Sequence, residues 1–313
     1  VSGPVLFLGE TLVDLICEHP LDSWSQVDSF VPHCGGAPTN AAIVVARCGA
    51  AAALAGGAGD DAWGRWLEQR LKDEKIDLRW WKRLPSVQTG VAFDVIDSAG
   101  VPDFLIYGQG IERTLEALEP ELEAAAATCS ALSLGSNTMI GKHEQAISLR
   151  ARELALEAGK PLIVDINLRL DRWKSPAHAS RAAIALCTGA FLVKVNRDEA
   201  RLLSGESDSA RAAEALLASL DARIVVVTLG AEGALVRGET QSDIPGVSAN
   251  VVDTTGAGDS LLGVLVAALT LSDFDPRAVA RTLPLEVEIA ARSTGGYGAT
   301  DNLADSIDIG IDR

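Results

Sequence analysis

The chain has 313 residues, 48% of them hydrophobic and 22% charged, which is enough to bury a full core and excludes global disorder. Forty-three acids against 27 bases give a net charge of −16, which argues against a protein that works by neutralising nucleic-acid phosphate or by lying on an anionic membrane. The five cysteines, Cys17, Cys34, Cys48, Cys129 and Cys187, are scattered without a CxxC pair. That spacing argues against a disulfide framework or a zinc site and for free thiols in a reducing cytosol. No apolar run approaches the ~20 residues of a membrane span, and the start lacks the pattern of a signal peptide. The expectation is a soluble cytoplasmic protein.

In chain order, Val5-Leu-Phe-Leu8 predicts a strand ending at Gly9-Glu10. Two segments, about 13–33 and 89–110, alternate weakly and carry aromatics; they predict a small β-sheet standing off the main layer as a lid. Between them, 40–48 and 63–72 predict helices, and the alanine-rich 50–58 a strand packed under helices. Trp80-Trp81 falls in no motif and is assigned to packing or an interface. The acid-rich stretch 112–123 predicts a solvated helix. From 142 on the rhythm is regular: helix 142–158, strand 161–165, helix 176–186, strand 191–195, helix 210–220, strand 224–228. Strands alternating with helices predict a doubly wound parallel sheet covered on both faces, hence an α/β fold. Each strand turns polar at its C-terminal end, the edge where such sheets bind ligands.

The strongest chemical signal is Val251-Val-Asp253-Thr-Thr255-Gly256-Ala257-Gly258-Asp259, expected to follow a strand and lead into the apolar helix 260–271. Two glycines at a helix start turn backbone N–H groups outward into a nest for anionic oxygens. A carboxylate beside such a nest is repelled by phosphate. It makes sense as a general base that deprotonates a hydroxyl attacking a phosphoryl group. The competing reading is an ordinary helix cap. Asp14, near the end of the first strand, offers an acceptor for sugar hydroxyls, and Gly35-Gly36 lets backbone approach a ligand closely. Asn40 offers both a helix-start cap and an amide for two hydroxyls. Arg169, at a strand end, is placed to steady a transferring phosphoryl group; its alternative is a salt bridge with Asp171. Asn196 and Glu199 follow a strand, where they are candidates to hold magnesium through water or to cap a helix. The histidines His19, His33, His143 and His178 show no ligand spacing.

Asp253-Thr-Thr-Gly-Ala-Gly-Asp259 resembles the signature of the ribokinase-like (PfkB-type) carbohydrate kinases. Gly35-Gly-Ala-Pro-Thr-Asn40 resembles the family's sugar-binding motif, and Gly56-Gly-Ala-Gly-Asp-Asp61 with Gly64 its next glycine-rich segment. Thr89-Gly90, Asn196-Arg-Asp-Glu199 and Thr228-Leu-Gly230-Ala-Glu-Gly233 follow in family order. The resemblance runs from Gly9 to about Ala299. It implies one kinase domain over 1–313 and ATP-dependent phosphorylation of a sugar hydroxyl with Mg²⁺. It also implies nucleotide contacts at Asn196, Thr228, Gly230, Gly233, Thr255 and Gly258, and dimerisation through the lid. Some relatives hold a monovalent cation such as K⁺ beside Asp253. Asp165-x-Asn167-x-Arg169 resembles the fructokinase-like members and implies fructose, phosphorylated at O6, as acceptor. Tyr107-Gly108-Gln109 offers a neutral amide where 2-keto-3-deoxygluconate kinases tend to carry an arginine, which argues for a neutral sugar, although Arg113 is close in sequence. Rival readings are a 2-keto-3-deoxygluconate kinase, a riboside or nucleoside kinase, and a non-catalytic relative that binds a sugar or partner. The C-terminal helix departs from the family at Glu286-Val-Glu288.

Overall fold

The structure is a computed structural model; it describes residues 3–108 and 110–311. Its strands are β1 (Val5–Leu8), β2 (Leu12–Cys17), β3 (Val31–Gly35), β4 (Ala52–Gly59), β5 (Asp77–Leu84), β6 (Val91–Ile96), β7 (Pro102–Tyr107), β8 (Ala131–Gly135), β9 (Leu162–Asp165), β10 (Leu192–Asn196), β11 (Ile224–Thr228), β12 (Gly233–Gly238) and β13 (Ser242–Pro245). Its α-helices are α1 (Ala37–Arg47), α2 (Ala62–Asp73), α3 (Gly110–Leu118), α4 (Leu122–Thr128), α5 (Lys142–Glu157), α6 (Pro176–Cys187), α7 (Arg197–Ser204), α8 (Ser209–Leu220), α9 (Ala257–Leu271) and α10 (Arg277–Ser293).

Nine strands form one sheet in the order β13-β12-β11-β10-β9-β8-β1-β4-β5. The seven from β11 to β5 are parallel, as the strand–helix alternation predicts. β12 and β13 are an antiparallel edge that the sequence reading did not anticipate. Because side chains alternate across a strand, each central strand feeds two cores. Val5 and Phe7 pack with α1, α2, α9 and α10 on one face, whereas Leu6 and Leu8 pack with α3, α5, α6 and α8 on the other. Helices therefore cover both faces.

α9 is buried from Asp259 to Leu269, between α1 and α10. Gly263 makes the close approach to α1 feasible: a Cβ there would stand 2.5 Å from the Val44 Cβ. The first turns of α1 and α9 thus open onto the same place. The segment before α9 is a loop rather than the expected strand. Its backbone groups are spent on turns, with the Val252 and Asp253 N–H groups donating to the Thr294 carbonyl at 2.7 and 3.2 Å.

The second sheet, ordered β3-β2-β6-β7, comes from the two segments expected to make the lid. Its faces are corrected by the register. From the sequence, a sheet standing off the main layer is expected to expose Phe93, Val95, Phe104 and Ile106 on one face. Pairing Asp94 with Phe104 and Ala92 with Ile106 puts Phe104 and Ile106 on the side of Asp14, and Phe93 and Val95 on the other. A one-residue offset moves a side chain to the opposite face, and segment periodicity alone does not reveal it. The outer face is partly covered by the chain itself: Trp24, Val27 and Phe30 pack over Cys17, Leu21 and Val95. Leu105 and Tyr107 remain exposed on the edge strand β7. The hairpin turn between β6 and β7 reaches the other sheet's loops, where the Gly100 carbonyl accepts from both Thr254 N and Thr254 Oγ1 at 2.9 Å.

All five cysteines are free and buried. Among the described residues no helix is long and apolar enough to cross a membrane.

Candidate active site

A cavity of about 750 Å³ is walled by the second sheet on one side and the C-terminal ends of the central strands on the other. Asp259 lies in its wall, in the first turn of α9, where unpaired helix N–H groups and the helix dipole meet. Gly256 caps the helix in the left-handed conformation, φ +75°, and Ala257 is the first helical residue. Gly256, Gly258 and Thr255 line the cavity around this turn. Both oxygens of Asp253 accept backbone N–H bonds, from Thr255 at 2.8 Å and Gly298 at 3.2 Å, so this buried carboxylate shapes the loop.

The Asp259 Oδ2 accepts from Asn40 Nδ2 at 2.9 Å. Burial, and after it the Asp165 charge, push the Asp259 carboxyl up to about 6, while Asn40, Lys194 and Arg169 oppose that rise. A carboxyl titrating there is ionised at neutral pH yet basic enough to accept a proton.

Lys194 is a cavity residue that the sequence reading did not single out. It sits in β10 as the one charge in a buried run, and its Nζ donates to Asp165 Oδ2 at 2.8 Å with both side chains buried. It also lines the cavity beside Gly258, where an added Cβ would stand 3.1 Å from its Nζ. The available signal was the lysine itself, because a charge inside a buried parallel strand needs a partner. Asn137 and Arg172 were missed as well: Asn137 Nδ2 donates to Glu10 Oε1 at 2.8 Å, and Arg172 donates to Asn137 Oδ1 at 3.3 Å.

Arg169 and Asn167 reach the cavity together. The loop after β9 turns through Asn167 at φ +42°, and Asn167 Oδ1 accepts from the Arg169 guanidinium at 2.7 Å. That guanidinium lies over the Phe104 ring, 5.6 Å from its centroid. It makes no ion pair with Asp171 among the described residues.

On the opposite wall, Asp14 projects from β2 and makes no side-chain hydrogen bond among the described residues. Burial and the Asp259 charge raise it to about 7. Gly35 is not itself on the wall. It makes room for that carboxylate, since a Cβ at Gly35 would fall 2.2 Å from Asp14 Oδ2. Gly36, at φ +102°, caps α1. Next to this group, Asp94 is fully buried with neither carboxylate oxygen hydrogen-bonded, and burial with the Asp14 charge drives it up to about 9.

Several expected positions fall elsewhere. Tyr107 is corrected: it pairs in register with Val91, is 59% exposed, and packs edge-on to Phe93 on the face turned away from the cavity. Gln109 lies outside the described residues. Asn196 and Glu199 form a reciprocal cap at the start of α7, and Glu199 also accepts from Leu168 N at 2.7 Å. Both Glu199 oxygens thereby accept backbone N–H bonds, which secures the loop before Arg169 and displays the helix-capping alternative of its two readings. Thr228, Gly230 and Gly233 lie at the end of β11 and the turn after it, beside Asn196 and off the cavity wall. Arg113 is exposed and pairs with Glu116.

This arrangement agrees with what the chain is similar to. The sequence profile of the pfkB family carbohydrate kinases matches residues 4–285. Fructokinase-1 of Oryza sativa subsp. japonica is 32% identical over 304 residues, covering 96% of this chain and 92% of its own. Among solved structures, a PfkB protein from Polaromonas sp. JS666 superposes with a TM-score of 0.81 at 27% identity, covering 94% of this chain and 97% of its own. A fructokinase from Vibrio cholerae O395, with fructose, ADP and calcium bound, superposes with a TM-score of 0.80 at 25% identity and covers 96% of each chain. An α/β sheet with a carboxylate-bearing glycine turn beside its cavity, matched along nearly its whole length, makes this chain a phosphotransferase acting on an alcohol group and a member of the pfkB family of carbohydrate kinases.

Proposed function

We propose that this sugar kinase transfers the γ-phosphoryl group of ATP to O6 of fructose, with Asp259 as general base. The observation that carries the reading is the position of the Asp259 carboxylate. It stands at the mouth of the helix N-terminus, held by Asn40, with Arg169 and Lys194 on the same cavity wall. The N–H groups around Gly256–Gly258 and the two cations offset charge on the phosphoryl oxygens during transfer. Asp259 takes the proton of the attacking hydroxyl. Asp14, with Asn40 and Asn167, offers the hydrogen-bond partners that fix a polyhydroxy acceptor. The nucleotide extends from this turn along the sheet edge toward Thr228, Gly230 and Gly233.

The donor set suits Mg²⁺ brought by the nucleotide. Asp165 Oδ1 is a buried hard oxygen without a hydrogen-bond partner, and Mg²⁺ needs one or two carboxylates beside phosphates and water. Asp165 would anchor it, and the ion would neutralise phosphate charge. We read the two sheets as one kinase unit. A homodimer fits the exposed Leu105 and Tyr107 on the edge strand β7, and a cytoplasmic place fits the buried free thiols.

Arg172, held by Asn137, is the cavity's other basic group, and it makes 2-keto-3-deoxygluconate the rival acceptor. ATP consumption measured against fructose, ribose, 2-keto-3-deoxygluconate and nucleosides, with and without a chelator, tests the reading. Fructose with the highest kcat/KM, and no turnover in chelator, is expected. A keto-acid preference of about tenfold or more overturns fructose. Turnover of Asp259→Asn within a few-fold of the parent overturns the base. Light scattering that finds a monomer at micromolar concentration removes the dimer.

A further inference from the structure

β2 ends at Cys17 and the chain then bends, with the His19 N–H donating to the Cys17 carbonyl at 2.9 Å. The strand's alternation puts Asp14 toward the cavity, so Cys17, three residues on, lies on the outer face of the small sheet. Glu18 leaves in another direction, its Oε1 being 3.1 Å from His33 Nε2. The chain then runs back across the outer face, with Trp24, Val27 and Phe30 seated on Cys17, Leu21 and Val95. That return brings Asp28 to His19, Oδ1 to Nε2 at 3.5 Å. The Cys17 Sγ lies 3.5 Å from Nδ1 and 3.7 Å from Nε2 of the same imidazole. One ligand atom from each of the three residues falls within 4.8 Å of the others.

The Cys17 Sγ is nearly equidistant from the two ring nitrogens and so faces the ring rather than either lone pair; a turn of the half-exposed His19 ring brings one nitrogen and Sγ onto a common metal. With Zn–S of about 2.3 Å and Zn–N or Zn–O of about 2.0–2.1 Å, adjacent donors of a tetrahedron stand about 3.3–3.6 Å apart. The donor set discriminates among metals. Mg²⁺ and Ca²⁺ want six or more oxygens, whereas one thiolate, one imidazole and one carboxylate suit Zn²⁺ and its neighbours in the first transition row. Access is one-sided: the thiol is buried, while the His19 and Asp28 side chains are 42% and 72% exposed. The carboxylate is partly oriented already, its Oδ1 accepting from Ser29 Oγ at 2.8 Å.

We propose that Cys17, His19 and Asp28 form a three-ligand zinc-class metal site, with water in the fourth position, that fastens the 18–30 segment to the outer face of the small sheet. On binding, the thiol proton leaves to solvent, the imidazole binds neutral and the carboxylate ionised, so the dication meets two negative ligands. The site is separate from the sugar–nucleotide cavity and independent of the phosphoryl transfer proposed above.

The test titrates the full chain with Zn²⁺ against a chromophoric chelator, and separately with Co²⁺ read by absorption, both with Mg²⁺ in excess. One equivalent of each is expected, with a cobalt–thiolate charge-transfer band in the near ultraviolet. Asp28→Asn, at an exposed position, keeps the fold and weakens Zn²⁺ by about tenfold or more. His19→Ala weakens it further, and Cys17→Ser abolishes the charge-transfer band. Zn²⁺ also slows proteolysis within 18–30 in the parent and not in Asp28→Asn. Failure of the parent to bind one equivalent, a Co²⁺ spectrum without the thiolate band, or unchanged Zn²⁺ affinity in folded Asp28→Asn and His19→Ala overturns the site.

Discussion

Asn40 Nδ2 donates to Asp259 Oδ2 at 2.9 Å, joining side chains 219 positions apart in the chain. Each sits in the first turn of a buried helix, and α1 and α9 pack closely through Gly263, so the bond orients the carboxylate at little entropic cost. The Asn40 Oδ1 remains buried without a partner, which leaves it an acceptor for a bound hydroxyl.

That bond sets a pH dependence. The Asp259 carboxyl titrates at about 6, and a base acts only when deprotonated. Activity should therefore fall roughly tenfold per pH unit below that value and level off above it. Asn40 stabilises the charged form, so Asn40→Ala should move the acid limb of the kcat/KM profile to higher pH. A limb that stays in place would show that another group governs it.

Asp14 and Gly35 should fail alike. The carboxylate occupies the space a Gly35 side chain would need, with the added Cβ 2.2 Å from Asp14 Oδ2. Gly35→Ala should raise the KM for the sugar as Asp14→Ala does, by about 5- to 150-fold for the ~1–3 kcal/mol of each unsatisfied hydroxyl contact. The KM for ATP should change little in both. Steady-state kinetics with each substrate varied in turn decides it.

The two glycines of the turn should differ in sensitivity. Gly256 is at φ +75° and an added Cβ would stand 2.2 Å from the Ala299 Cβ, so Gly256→Ala strains the backbone and displaces the 299 loop. A loss on the order of 1–3 kcal/mol in stability and weakened ATP binding are expected. At Gly258 the nearest obstacle is the Lys194 Nζ at 3.1 Å, the end of a flexible side chain. Gly258→Ala should cost less stability than Gly256→Ala, since the Lys194 Nζ need give by only a few tenths of an ångström, and lower kcat by shifting Lys194. Denaturant titration and ATP binding on the pair test the contrast.

Asp94 should make the protein less stable as pH rises. Its carboxyl is raised from 3.8 to about 9 on folding, so between those values the folded state holds a proton that the unfolded state has released. Stability from this group then falls with increasing pH across that window. Asp94→Asn removes the titration while keeping the shape. Its stability advantage in urea should be larger at about pH 8 than at about pH 5. An advantage independent of pH would show that Asp94 is ionised in the fold.

Local pattern determined much of this protein. Apolar runs ending in polar clusters marked the parallel strands and their ligand edge, because a strand buried on both faces must be apolar until it emerges. Gly256 was legible because a left-handed turn at a helix start favours glycine, and Asp259 because a carboxylate beside an anion nest points to proton transfer. What the tertiary structure decided was which residues meet. Register, which no single segment encodes, sent Phe93 and Tyr107 outward and Phe104 toward the cavity. Lys194 found Asp165 only when β10 lay beside β9. Cys17 and His19 read as unrelated to any ligand set until the 18–30 segment folded back and delivered Asp28. Spacing along a chain reports neighbours only while the chain stays regular, and a contact closed by a returning loop depends on how that loop packs.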